Sequence, residues 1–96
     1  MNPIPITSDL LAVARRVVWF KSPEEALNDP ARFLAHVMTY GSVEDIKTVR
    51  SVTEARDFRE ALEHASPGIF DKRSWAYWNL KCNRQPTPPM PERRFN

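Results

Sequence analysis

The sequence predicts an all-α fold: a single small domain of five or six short helices with an extended N-terminal arm and a proline-rich C-terminal tail. Apolar residues recur at helical spacing, helix-start signals precede these segments, and no second strand is found to build a sheet. A chain of 96 residues is long enough for one core. We therefore expect a helical domain over residues 1–82 and a basic, proline-rich arm over residues 83–96.

The N-terminal segment is predicted to be an extended arm followed by a core helix. Two prolines keep the first seven residues out of a helix, and Ile4 and Ile6 are expected to anchor the arm. The first helix is predicted to start near Thr7 or Ser8, and its apolar stripe runs from Leu10 to Trp19 and Phe20. The V-V-W-F letters at its end also resemble a strand. Since nothing pairs with that strand, we interpret the whole segment as helix.

Local signals predict where the later helices start and stop. The segment S-P-E-E at 22–25 is a capping box, and it predicts a short helix that stops by Asn28. Gly41 is expected to end the third helix in a left-handed conformation. In the fourth helix, Val43, Ile46, Val49 and Val52 are expected to form a narrow apolar stripe. The remaining predicted helix starts are Asp29-Pro30, Ser42, Thr53 and Asp71.

The segment F-D-K-R-S-W-A-Y-W-N-L at 70–80 is the most aromatic part of the chain. Asp71 is predicted to cap its helix. At about 100° per residue, Trp75, Trp78 and Cys82 share one face, and Asn79 projects into an apolar arc. A helix this apolar on several sides must be enclosed by the other helices or shared with a partner. The buried amide of Asn79 either bonds to a loop carbonyl or acts as a polar key for partner choice.

Charge is distributed unevenly along the chain. The net charge is +2, yet residues 1–65 carry eight Lys/Arg against ten Asp/Glu, whereas residues 66–96 carry six against two. A basic, aromatic end on a slightly acidic body suits an acidic protein surface or a nucleic acid. The proline-rich arm is expected to lie across the body, or across a second subunit, with Met90 and Phe95 as anchors.

The candidate catalytic and metal-binding residues do not form a recognisable site. His36 and Cys82 are the candidate base and nucleophile, but both are more typical of structural residues in these positions. A single cysteine and two distant histidines predict no disulfide and no zinc site, and no cofactor motif is present. Because the candidate catalytic residues do not form a site, we expect a non-enzymatic protein. Without a signal peptide or a membrane-length apolar run, we also expect it to be soluble and cytoplasmic.

A helix-turn-helix is the alternative that most needs weighing. The segment from Leu34 to Arg50 superficially resembles one, but Ala35 and Gly41 are six residues apart where about four is customary. Glu44 and Asp45 would also face phosphates and base edges at the start of a recognition helix. DNA contact through basic residues nearer the C-terminus is a separate hypothesis; these residues are Lys72, Arg73, Arg84, Arg93 and Arg94.

The segments R-F-L-A-H-V-M-T-Y-G-S and P-G-I-F-D-K-R-S-W-A-Y-W-N-L, together with the proline-rich finish, carry a resemblance to known proteins. The chain resembles a group of small, largely uncharacterised bacterial helical proteins with an F-D-x-R-S-W-x-Y-W segment. Their genes tend to lie beside nucleotidyltransferase-like toxin genes. The resemblance implies an antitoxin-like or accessory role, with such a toxin as the partner. It transfers no catalytic or binding residues.

The sequence therefore predicts a macromolecular-interaction module that binds a partner protein through its basic, aromatic end. A homodimer would also use the apolar surplus of the tryptophan helix, and a small DNA-binding regulator is the alternative function. Tryptophan and arginine contribute disproportionately to binding energy, which favours them as contact residues. The candidate partner-binding residues are Arg73, Trp75, Trp78, Asn79, Arg84, Arg93 and Arg94.

Overall fold

The computed structural model describes residues 1–92 and contains six α-helices over that range. They are α1 (Ser8–Val17), α2 (Pro23–Leu27), α3 (Pro30–Tyr40), α4 (Val43–Arg50), α5 (Ala55–Glu63) and α6 (Lys72–Lys81). No strand occurs among these residues. The predicted all-α fold of five or six short helices is confirmed.

Most helices begin where a short polar side chain satisfies a free backbone N–H group. The side-chain oxygens of Thr7, Ser22, Ser42 and Asp71 accept hydrogen bonds from Leu10, Glu25, Asp45 and Ser74, respectively. These bonds offset the unpaired donors of each first turn, so the helix starts are encoded locally. The predicted cap at Asp71 is confirmed by a 2.7 Å bond to the backbone nitrogen of Ser74.

The third helix begins at Pro30 as predicted, but its cap differs from the prediction, and the start of the fifth helix needs correction. Asp29 lies at the N-cap of α3, but its side chain makes no cap hydrogen bond, and the fixed φ of the following proline contributes instead. The fifth helix is capped by Glu54 rather than by Thr53. The carboxylate of Asp57 accepts a 2.8 Å hydrogen bond from the Glu54 backbone N–H, and Asp57 is buried. The Thr53 hydroxyl instead donates to the carbonyl of Val49.

Gly41 ends α3 as predicted, but for a different reason. Its backbone is extended, with φ −73° and ψ 150°, so it does not occupy the left-handed region. A Cβ atom at this position would lie 2.6 Å from the carbonyl oxygen of Val37. Glycine is therefore required by close packing of the chain against the preceding turn.

The first helix is shorter than predicted. It ends at Val17, and Trp19 and Phe20 lie in the following turn with most of their surface exposed. Ser22 must be extended to cap α2, so the chain has to leave α1 several residues earlier. The interpretation of V-V-W-F as helix was wrong beyond Val17.

Several predicted core contacts face solvent instead. Ile4 is buried, but Ile6 is exposed, so only one of the two predicted N-terminal anchors enters the core. Val49 of α4 is fully buried, whereas Val43 is exposed and Val52 lies beyond the end of the helix and is also exposed. The predicted stripe is therefore reduced to Ile46 and Val49, which pack against the core, while both of its end residues face solvent.

The centre of the fold is α3, not the tryptophan helix. α3 contacts each of the other five helices, and six consecutive residues from Phe33 to Met38 are buried. α6 packs only on α3 and α5, which leaves part of its circumference uncovered. Within residues 1–92 no helix has the length and apolar composition needed to cross a membrane.

Candidate functional site: the two faces of α6

α6 has an enclosed face and an open face. Trp75, Trp78 and Asn79 point into the core. The two tryptophans share one face, as the helical spacing predicts. On the opposite side, Tyr77 and Leu80 are exposed. The helix is therefore enclosed on one face only, and the part of its apolar surface that faces solvent is open to a partner.

Trp78 holds α6 against the central helix. Its indole Nε1–H donates a 2.7 Å hydrogen bond to the backbone carbonyl of Met38, and this bond is buried. Its ring stacks on Phe58 of α5 with ring centroids 5.4 Å apart. Both the polar and the apolar part of the indole are thus satisfied inside the subunit.

Asn79 links α6 to the segment that follows it. Its side-chain Nδ2 donates to the carbonyl of Trp75 at 2.8 Å, and its Oδ1 accepts from Arg84 Nη1 at 2.9 Å. The backbone of Asn79 also accepts from the Arg84 N–H, while Asn83 adopts a positive φ of 62°. This arrangement is a Schellman C-cap. The buried amide is confirmed, but its partners are a carbonyl of its own helix and an arginine.

Trp75 receives the proline-rich arm. Its Nε1–H donates to the carbonyl oxygen of Pro88 at 2.8 Å, and its ring packs edge-on against Phe70. The Arg84 guanidinium lies 6.0 Å from the centre of the indole. Met90 packs at the margin of the core. The arm therefore lies across the body over residues 84–92; the second predicted anchor, Phe95, lies outside the described residues.

The open face of α6 forms a continuous surface, which we call the outer stripe: Arg73, Ala76, Tyr77 and Leu80. These residues have the i, i+3, i+4, i+7 spacing of one helical face. Tyr77 is 50% exposed and Leu80 is 62% exposed. Isolated apolar side chains are common on protein surfaces, but Ala76, Tyr77 and Leu80 are contiguous on one helix and form a coherent contact surface, with Arg73 at its N-terminal end.

Basic side chains lie at both ends of the outer stripe. Lys81 Nζ lies 5.8 Å from the centre of the Tyr77 ring, within the range of a cation–π contact. Lys72 and Arg73 are exposed at the first turn, where their charges oppose the positive end of the helix dipole. Positive charge at both ends of the stripe favours a partner with negative charge around an apolar centre.

A second exposed surface was missed by the sequence analysis. We call it the aromatic patch: Trp19, Phe20 and Tyr40. The ring centroids of Phe20 and Tyr40 lie 5.7 and 6.0 Å from that of His36. Trp19 is 66% exposed and makes edge-on contacts with Phe20 and Tyr40, at 5.5 and 5.8 Å between ring centroids. The Ser22-Pro23 cap could have indicated this surface, because it forces the preceding residues out of α1.

An ion pair joins α1 to α4. Arg16, three residues before Trp19, donates to the buried carboxylate of Asp45, which also accepts from the Ser42 backbone. The Arg16 hydrogen bond holds the pKa of Asp45 below its ordinary value, although burial opposes the shift. Asp45 therefore does not face outward as the helix-turn-helix alternative required; it fixes α4 to α1.

The two candidate catalytic side chains lie in separate environments. The Nδ1 atom of His36 is 2.8 Å from the carbonyl of Arg32, one turn earlier in α3. Burial raises the pKa of the Cys82 thiol, with partial opposition from the charges of Arg59 and Arg84. A raised pKa disfavours the thiolate form that acts as a nucleophile. Within residues 1–92 no group of three His, Cys, Asp or Glu side chains is placed to hold a metal ion.

The predicted partner-binding residues thus separate into three groups. Arg73 is exposed on the outer stripe. Trp75, Trp78 and Asn79 are buried, and each donates a hydrogen bond to a backbone carbonyl within the chain. In this conformation these three side chains are therefore not exposed to a partner. Arg84 is half-buried against Asn79, and Arg93 and Arg94 lie outside the described residues.

Comparison with known proteins gives no relative from which a role could be carried over. No family model matches the chain, and no curated protein or solved structure is significantly similar to it.

Proposed function

We propose that the chain is a non-enzymatic interaction module that binds an acidic partner protein through the outer stripe of α6. The observation that carries this proposal is the exposure of Tyr77 and Leu80 on a helix whose opposite face is fixed in the core. A helix held in this way presents its outer residues without a further ordering cost, which favours binding. The partner surface would be a groove that accepts one helical face.

The sequence resemblance suggests which class of protein this partner belongs to. We propose an antitoxin-like or accessory protein whose partner is a nucleotidyltransferase-like toxin, with both proteins in the cytoplasm. The borders of the outer stripe support an acidic contact surface on that partner, since Lys72, Arg73 and Lys81 are all exposed. Pairing of two copies is a further arrangement that the exposed apolar residues would suit.

The experiment compares two matched double variants in affinity capture from the native host. In the first, Tyr77→Ser and Leu80→Ser remove the apolar part of the outer stripe. In the second, Tyr40→Ser and Val43→Ser remove an exposed tyrosine and an exposed aliphatic residue from another surface. We expect the first variant to lose a partner that the wild-type chain and the second variant retain, as identified by mass spectrometry. Retention by the first variant would contradict the proposal.

The DNA-binding alternative is tested by titrating duplex DNA at two salt concentrations. Binding through phosphates weakens steeply with salt, because each neutralised phosphate releases a counterion. Sub-micromolar affinity with a steep salt dependence would favour a DNA-binding regulator. Absence of binding at low salt would remove it.

A further inference from the structure

The contact between Trp75 and the C-terminal arm has the chemistry by which proteins recognise proline-rich segments. An indole N–H donates to a backbone carbonyl within the sequence P-T-P-P-M-P, at 2.8 Å. Prolines lack N–H groups and restrict the chain to extended conformations, so such segments are recognised by aromatic side chains and by donors to their carbonyls. Trp75 supplies both, and Phe70 packs against its ring.

The arm consists of a fixed start, an exposed linker and a docked end. Arg84 is fixed to Asn79 by backbone and side-chain hydrogen bonds. The next three residues, 85–87, are exposed, whereas Pro88 and Met90 are half-buried. The docked end is therefore attached to the domain only through a short exposed linker, and its contacts do not depend on which copy of the chain supplies it.

We propose that Trp75 and Phe70 form a docking site for proline-rich segments, and that residues 88–90 of a second copy can replace the chain's own arm there. The occupant follows from the structure itself, because a second copy carries the same carbonyl acceptor and the same methionine. Reciprocal exchange gives a symmetric dimer with two identical contacts. Six residues separate Arg84 from Met90 and span about 20 Å at most, so the two α6 helices lie close together.

Competition by a free peptide tests the docking site in the full-length chain. The probe is a synthetic peptide of residues 85–92, and the readout is the Trp75 indole N–H signal in two-dimensional NMR, with Trp19 and Trp78 as internal controls. A short tether gives the chain's own arm a local concentration in the millimolar range. We therefore expect the wild-type Trp75 signal to shift only at millimolar peptide.

Met90→Ala provides a matched pair of variants. In the chain the substitution should raise the affinity for the added peptide, and in the peptide it should lower that affinity. In the chain it weakens the tethered competitor, and we expect the wild-type peptide to bind several-fold more tightly. In the peptide it removes the same contact, and we expect weaker binding to either chain. A chain lengthened by Gly-Ser-Gly-Ser between Gln85 and Pro86 should also bind the peptide more tightly, without touching the core. Absence of a Trp75 shift in all three chains would overturn the proposal.

Shortening the linker tests the exchange between copies. Deletion of Thr87 prevents the docked end from reaching its own site at its observed register, so we expect a dimer by light scattering with the Trp75 signal unchanged. The Gly-Ser lengthened chain should be monomeric at the same concentration. A monomeric deletion variant, whether its Trp75 signal is altered or unaltered, would contradict exchange. The outer stripe is intact in every variant, so this result is separate from the partner-binding experiment.

Discussion

The chain contains two aromatic clusters whose rings lie at similar distances but differ in their exposure to solvent. Trp78 stacks on Phe58, and Trp19 packs edge-on against Tyr40, with nearly equal centroid separations of 5.4 and 5.8 Å. Yet Trp78 is buried, and Trp19 is the most exposed aromatic side chain of the described residues. The buried indole donates to a carbonyl of a neighbouring helix. Aromatic density therefore does not distinguish a core from a contact surface; what distinguishes them is whether another helix encloses the ring.

The largest expected change in stability comes from truncating one tryptophan in each cluster. Trp78→Ala removes a buried ring, and we expect it to lower the free energy of unfolding by about 3–5 kcal/mol. Trp19→Ala removes a mostly exposed ring, and we expect a change below about 1 kcal/mol. Urea denaturation followed by circular dichroism measures both. Similar losses for the two variants would show that the aromatic patch also supports the fold.

A single domain of this size has a small stability margin, so Trp78→Ala could unfold it completely. Trp78→Phe is the milder companion. It keeps the ring against Phe58 and removes the donor to the Met38 carbonyl, leaving that buried acceptor unpaired. We expect a loss of about 1–3 kcal/mol. A neutral effect would mean that the hydrogen bond contributes little to the docking of α6.

The second test concerns the buried amide that joins α6 to the arm. Asn79→Leu keeps the branched shape of the side chain and removes its bonds to Trp75 and Arg84. We expect the free energy of unfolding to fall by about 1–3 kcal/mol, because the half-buried guanidinium of Arg84 loses its acceptor. Arg84→Met is the companion variant: it leaves the fully buried Oδ1 atom of Asn79 without a donor, and we expect a loss of similar size. Urea denaturation of both variants makes the comparison.

How far the sequence predicts this fold depends on the range of the interaction involved. Ser22, Ser42 and Asp71 act on donors three residues away, and all three helix starts were predicted correctly. The shared face of Trp75 and Trp78 also follows from helical geometry alone. Which face of α6 would be covered depends on where α3 and α5 lie, and this is not encoded locally. Trp75 and Trp78 were therefore predicted as contact residues although both are enclosed.

Gly41 and Asp45 show the same limit at single residues. Gly41 was correctly placed at the end of α3, but the close approach to Val37 that requires glycine depends on the exact path of the chain. Asp45 was correctly placed in a first turn, where it favours the helix dipole. Its ion pair with Arg16 spans 29 residues of sequence and could not be inferred from spacing.

The third test uses pH on the ion pair that joins α1 to α4. Asp45→Asn removes the charge that Arg16 pairs with, and we expect a loss of about 1 kcal/mol at pH 7, because the largely exposed guanidinium is screened by solvent. The folded pKa of Asp45 is lowered from its ordinary value of 3.8. Its contribution is therefore present above about pH 4 and is lost as the pH falls through the folded pKa.

The measurement is the free energy of unfolding of the wild-type chain and the Asp45→Asn variant between pH 7 and pH 2. We expect the difference between the two proteins to be constant down to about pH 4 and to shrink below it. Arg16→Gln should give the same pH dependence. A difference that persists unchanged at pH 2 would mean that hydrogen bonds of the side chain, rather than its charge, hold α4 to α1.

The smallest expected effect on stability is that of Trp19→Phe, and this variant reports which indoles are exposed to solvent. Trp19→Phe keeps an aromatic ring in the patch, and we expect the free energy of unfolding to change by less than about 0.5 kcal/mol. Acrylamide reaches only exposed indoles, so we expect the substitution to abolish most of the quenching of tryptophan fluorescence. The remaining emission would come from Trp75 and Trp78, whose rings the fold encloses. If strong quenching persisted in this variant, an enclosed indole would have to open to solvent. Trp75 is the one covered by the arm rather than by a helix alone, so such a result would indicate release of Pro88 from its indole.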